Sequence, residues 1–113
     1  MAQYLVLIYG DENAAAADPN LMDKMMAEHN AFGEKHGPAL TGGNALHGTD
    51  MATSIRPTAD GFAVTDGPFT ETKEALGGYY MVEAADLDAA IAVAKDVPMP
   101  FGGVEVRPVV VFS

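Results

Sequence analysis

Three histidines, His29, His36 and His47, carry the side chains whose ordinary titration lies nearest neutral pH, so proton-transfer chemistry is sought among them first. The chain has no cysteine, which removes a thiol nucleophile, a thiolate metal site and a disulfide framework. His29 and His36 lie seven residues apart, about 10 Å along a helix, too far to share one ion directly. No metal site and no cofactor are therefore expected. His36 falls where a helix is about to end, and a cation there is favoured by the helix dipole, so a capping role fits it best. His47, beside Gly48, is expected in an exposed loop.

A second polar cluster sits beside a sharp turn. Asp66, Thr70, Glu71, Lys73 and Glu74 surround Gly67-Pro68, more charged and hydroxyl groups than a short connector requires. Asp66, Thr70 and Glu71 are candidate ligand contacts. Equally, Asp66 and Thr70 can bond local backbone amides and simply hold the turn. Phe69 is expected as a buried anchor that fixes this loop as a cavity wall. Gly42-Gly43, Gly77-Gly78 and Gly102-Gly103 lack phosphate-loop or dinucleotide spacing, so no nucleotide site is expected. Met22, Met25 and Met26 are expected as flexible core filler.

The elements that must position these groups follow from periodicity and turn chemistry. Gln3 to Tyr9 is apolar on both alternating faces, as in a central strand covered on both sides. A loop follows to Ala17. Asp18-Pro19 then predicts a helix start, and Leu21, Met25, His29, Phe32 and His36 form its inward stripe until Gly37-Pro38 stops it. Ala39 to Leu46 is a strand whose Gly42-Gly43 suggests a bulge or close backbone approach. Met51 to Arg56 and Phe62 to Thr65 form a hairpin about the Pro57 to Gly61 turn. Thr70 to Leu76 is expected as one helical turn broken by Gly77-Gly78, after which Gly78 to Ala84 is a strand. Asp86 caps a second helix with Leu87, Ala90, Ile91 and Ala94 inward, ended by Val97-Pro98. Val104 to Phe112 is the last strand, placed at an edge or a bulge by Pro108.

This order, β-α-β-hairpin-β-α-β, is an α+β, ferredoxin-like pattern with an inserted hairpin, an antiparallel sheet and both helices on one face. A chain of 113 residues, 49% hydrophobic, is the size of a single domain, 1–113. Two helices cover only one sheet face, yet the first strand and Val109-Val110-Val111-Phe112 are apolar on both. An open second face would exceed the roughly 300–600 Å² patch usual for monomers. A homodimer, sheet against sheet, is the expected cover. Six basic against sixteen acidic residues give a net charge of −10, which disfavours nucleic acid and anionic membrane partners. With no signal-like start, no long apolar run and no cysteine, a cytoplasmic protein is expected.

The run Asp66-Gly67-Pro68-Phe69-Thr70-Glu71-Thr72-Lys73-Glu74, followed by Leu76-Gly77-Gly78-Tyr79-Tyr80, resembles the signature of the DGPF branch of the YCII-related proteins. Leu7 to Asp11 and Val104 to Pro108 also resemble the ends of that family's pattern, so the likeness spans nearly the whole chain. The resemblance implies a dimeric α/β-barrel. It implies less about activity, because relatives sharing the barrel include isomerases, lyases and oxygenases of small molecules, and fold alone does not assign a reaction. In YCII-like relatives a histidine of the first helix pairs with an aspartate near the end of the second, and the matching positions here are His29 and Asp96. The relatives carry that aspartate directly before proline, whereas this chain reads Asp96-Val97-Pro98.

Two functions follow as expectations. One is a small enzyme acting on a small organic molecule by acid-base, isomerase- or lyase-like chemistry, with His29 as the acid-base group and Asp96 orienting it. Its cavity would lie between the first helix, the sheet and the signature loop. The other is a non-catalytic ligand-binding or regulatory dimer, because the DGPF resemblance implies association with extracytoplasmic-function sigma factors. A plain structural alternative for His29 is a boundary residue packed among Met25, Met26 and Phe32, with Asp96 solvated.

Overall fold

Four antiparallel strands build the main sheet of the computed structural model, which describes residues 1–112. They are β1 (Ala2–Asp11), β2 (Leu40–Ala45), β5 (Glu74–Ala84) and β6 (Gly102–Pro108), in the order β2-β5-β1-β6. Between β2 and β5 the chain makes a separate hairpin, β3 (Thr53–Thr58) and β4 (Gly61–Asp66). The helices are α1 (Glu12–Ala16), α2 (Leu21–His36) and α3 (Leu87–Ala94). None of the described helices is long and apolar enough to cross a membrane. This is the ferredoxin-like α+β arrangement, and β1 takes the interior place its apolar sequence demands.

Strand alternation divides the sheet into two faces. Tyr4 and Val6 of β1 lie opposite Val82 and Tyr80 of β5, and Val6 also faces Val106 of β6. Tyr4, Val6, Val82 and Ala84 are buried there against Phe32 of α2 and Ala90, Val93 and Ala94 of α3. Leu5, Leu7, Tyr79 and Met81 occupy the opposite face, only half-buried, rimmed by Glu83, Glu105 and Arg107.

Several boundaries differ from expectation, each for a local reason. Asp11 accepts from the amides of Asn13 and Ala14, so the stretch expected as a loop starts with α1. Asp18 bonds the Asn20 amide and holds the turn before α2, whose first residue is Leu21. Glu74 to Leu76 are strand, not a helical turn: Gly10 and Asp11 of β1 pair with Ala75 and Glu74, and ladder hydrogen bonds hold Gly77-Gly78 within β5. A register shift between Leu40 and Gly42 supplies the bulge that the glycine pair suggested. Asp86 does cap α3, accepting from Ala89, but the helix ends at Ala94 and leaves Leu87 exposed. Pro108 ends β6, so Val109 to Phe112 run on outside the sheet, with only the Val109 amide bonded to Gln3.

Candidate active site

Helix α2 presents its inward stripe to the helix-facing side of the sheet, as the spacing required. Phe32 is buried, and Leu21, Met25, His29 and His36 are half-buried around it. On β5 the residue that rises to meet the stripe is Tyr80. His29 Nδ1 lies 2.6 Å from the Tyr80 hydroxyl, and either ring tautomer satisfies that contact. Nε2 is left for a ligand.

Gly43 determines where the Tyr80 ring lies. It sits opposite Tyr80 across the β2–β5 ladder, and a Cβ there would come within 2.8 Å of Tyr80 Cδ1 and 2.7 Å of the Tyr79 carbonyl oxygen. Glycine alone lets the phenol ring lie against β2. The Phe32 ring supports the other side, its centroid 4.9 Å from that of Tyr80.

His29 and Tyr80 line a cavity of about 590 Å³ between α2, the sheet and the 98–101 loop. Burial pushes the His29 imidazole below its ordinary 6.5, partly offset by the nearby Glu28 carboxylate, and pushes the Tyr80 phenol above its ordinary 10.0. Both groups are thus held in their neutral forms around pH 7. A neutral imidazole beside a protonated phenol can take a proton, give one back and hydrogen-bond a ligand oxygen. Asn44 and Tyr79 also border the cavity, but strand parity sends their side chains to the other sheet face, where Asn44 Nδ2 donates to the Tyr79 hydroxyl over 3.0 Å.

Asp96 is placed elsewhere, which corrects the expected His29–Asp96 contact. Its carboxylate accepts from His36 Nε2 at 2.7 Å and from Lys35 Nζ at 3.0 Å. Those bonds, His36 foremost, hold the Asp96 carboxyl below the usual carboxylate range. With α3 ending at Ala94, Asp96 lies against the last turn of α2, two turns beyond His29. The buried Phe32 ring packs on both Tyr80 and His36, at 4.9 and 5.2 Å, and stands between the two polar pairs. His36 thus has a carboxylate partner in addition to its place near the helix end, and His47 is exposed.

The signature loop lies apart from His29 as well. Thr70 and Glu71 border a second, broader hollow of about 1000 Å³ together with Phe69, His47 and Met51, and the two cavities share Tyr9, Leu46 and Ala75 as a common wall. Asp66 ends β4 opposite Thr53 and is exposed. Phe69 is not the expected buried anchor: it is 58% exposed, with the Arg56 guanidinium 3.7 Å above its ring and Arg56 Nη2 donating to its carbonyl oxygen. A cation over the ring face holds the loop against the hairpin without burying it. Among the described residues, no group of three or more His, Asp or Glu side chains is placed to hold a metal ion.

Tyr80 is the site residue that sequence reasoning missed. Its signal was present in strand parity: Tyr80, Val82 and Ala84 share one face of β5, the face that meets the stripe containing His29. Gly43 carried a partial signal, since close backbone approach was one expected meaning of its glycine pair.

The solved structure of 5-chloro-2-hydroxyhydroquinone dehydrochlorinase (TftG) from Burkholderia phenoliruptrix AC1100, in complex with 2,5-dihydroxybenzoquinone, resembles this chain in fold. Its TM-score is 0.55 at 16% identity, over 93% of this chain and 90% of that one. The fold is accordingly that of the dimeric α/β-barrels. An uncharacterized protein, R00369, of Rhizobium meliloti (strain 1021) is 35% identical over 97% of this chain and 94% of its own length. The model of the YCII-related domain matches residues 2–113, and the chain belongs to the YCII-related family.

Proposed function

We propose that this protein is an enzyme of small-molecule acid-base chemistry, isomerase- or lyase-like, with His29 as the group that moves the proton and Tyr80 as its partner. The carrying observation is the 2.6 Å contact between His29 Nδ1 and the Tyr80 hydroxyl on the wall of a cavity large enough for an organic molecule. Tyr80 orients the ring, and Nε2 takes a proton from the ligand and returns it at another position. Burial supports this by keeping the imidazole neutral, hence basic, at pH 7. That TftG acts on a small organic molecule within the same fold is compatible support at the level of fold. Asp96 has no place in the proton path under this reading; it ties α3 to the end of α2.

The working form is a homodimer in the cytoplasm. Its support is apolar surface that this chain leaves uncovered: Leu5, Leu7 and Met81 on the second sheet face, and Ile55, Phe62 and Val64 on the hairpin, exposed by 58, 74 and 64%. The chain is flat, 18 Å in its shortest extent, with a radius of gyration of 16.0 Å against about 13 Å for a compact chain of this length.

The test is solvent deuterium incorporation into a panel of small carbonyl and phenolic compounds. Wild-type protein should catalyse exchange and His29→Ala should not. Equal exchange by both would remove His29 from the chemistry. The exposed hairpin face favours a second reading, a binding dimer that recruits a protein such as a sigma factor. It predicts a heteromeric complex that survives His29→Ala and is lost with Phe62→Asp.

A further inference from the structure

We infer that the apolar run from Val109 to Phe112 of one copy seats in the signature-loop hollow of a second copy, which returns the same contact. The inference rests on the homodimer reading, and adds which surfaces join the copies and what the signature loop receives.

Two apolar surfaces lie open at opposite ends of the second sheet face. At one end is the hollow of about 1000 Å³ beside the signature loop. Strand parity puts it on that face: Tyr9 follows Leu5 and Leu7 in the regular alternation of β1 against β6, and stands directly opposite Leu76 of β5. Leu46, Met51 and Phe69 complete its apolar lining, and all three are exposed. At the other end Pro108 lies opposite Tyr4, and beyond it Val110, Val111 and Phe112 are 69, 83 and 92% exposed. From Pro108 to Phe112 there is no charged residue, in a chain of net charge −10. Contact made through this run brings no acidic groups together.

The run cannot fill the hollow of its own chain. Strand β6 starts with Gly102 opposite Gly10, beside the hollow, and leads away from it to Pro108. Val109 is still bonded to Gln3, six residues and about 20 Å of strand from Tyr9. Val110 to Phe112 span at most about 11 Å. A second copy removes the mismatch. In a two-fold pair whatever one copy gives it also receives, and sheets packed face to face about an axis lying across their strands exchange ends. Each run then lies over the other copy's hollow. An axis along the strands would set run against run and leave both hollows open. Two such seatings, counted on both copies, bury on the order of 1,500 Å², above the roughly 1,200 Å² at which stable interfaces begin. Because Tyr9, Leu46 and Ala75 line both cavities, the seated run stands behind the wall of the His29 site.

The chain has no cysteine, so single cysteines report the contact directly. Val111→Cys and Met51→Cys, both at exposed positions, are made in the full chain, mixed to let subunits exchange, and treated with a short bis-maleimide. The mixture should yield a covalent species of twice the 11.8 kDa chain mass, about tenfold more than either variant alone. Phe112→Asp should raise the dimer dissociation constant by about tenfold or more in sedimentation, with an unchanged circular dichroism spectrum. A monomeric wild type removes the homodimer, and this contact with it. The seating alone is overturned, with the homodimer left standing, by a wild-type dimer in which the mixture does not link, in which Val111→Cys or Met51→Cys links to itself as readily, or in which Phe112→Asp pairs as tightly as wild type.

Discussion

His29 on α2 and Tyr80 on β5, 51 residues apart in sequence, meet at 2.6 Å between Nδ1 and the phenol oxygen, and that contact places the only half-buried imidazole of the first cavity beside a protonated hydroxyl. His29→Ala is expected to keep the fold and to lower turnover by about 10²–10⁴-fold, the usual contribution of a positioned acid-base group. Tyr80→Phe removes one neutral hydrogen bond and should lower turnover by about 2- to 10-fold. Steady-state rates on a substrate found in the exchange panel, with circular dichroism as the fold control, check both.

The pH dependence has a definite sign. Desolvation lowers the His29 pKa below 6.5, so the acid limb of kcat/KM should fall below that value. Tyr80 is shifted above 10.0, so no loss from its ionisation is expected until still more alkaline pH. For stability, the folded state binds the His29 proton more weakly than the unfolded chain. That term costs nothing well above pH 6.5 and destabilises progressively as pH falls from there through the folded pKa. An acid limb centred above 6.5 would contradict the desolvated imidazole.

Asp96→Asn should leave turnover within about twofold of wild type, since its partners are His36 and Lys35. Its effect belongs to stability at low pH. A carboxyl held below its ordinary 3.8 stabilises the fold above that value, and the contribution is lost as pH falls through the folded pKa. Thermal melts of wild type and variant should therefore differ at pH 6 and converge in strong acid. A turnover loss as large as that of His29→Ala would restore Asp96 to the proton path.

Gly43→Ala should destabilise the protein by about 1–3 kcal/mol, because the methyl group meets a backbone carbonyl and the Tyr80 ring. Chemical denaturation measures this. The surviving folded fraction should also show a displaced Tyr80 ring, read as loss of the nuclear Overhauser contact between His29 and Tyr80. A neutral substitution would mean that β2 yields easily at this point.

Sedimentation at micromolar concentration should give twice the 11.8 kDa chain mass. Leu7→Glu, in the middle of the second sheet face, should give monomers by placing an unpaired charge where the sheets meet. The interface should bury more than about 1,200 Å² in total. A wild-type monomer at that concentration would refute the pairing.

What the sequence determined by itself was local. The α2 stripe that turns His29 and Phe32 inward, the Asp86 cap of α3, the hairpin turn near Gly61 and the central place of β1 follow from contacts within a few residues or from two-sided apolarity. The α+β pattern and the family likeness were legible on the same grounds. Partner choice was not. Whether His29 meets Asp96 or Tyr80 depends on the register of β5 against β1 and β2, the bulge at Leu40–Gly42 and the point at which α3 stops, none of which is written in local periodicity. The same holds for Phe69, whose apolar ring suggested burial until Arg56, thirteen residues before it, proved to lie across its face. One-residue differences in register or helix length redirect a side chain wholly, so the partner of His29 was decided only where strands and helices packed.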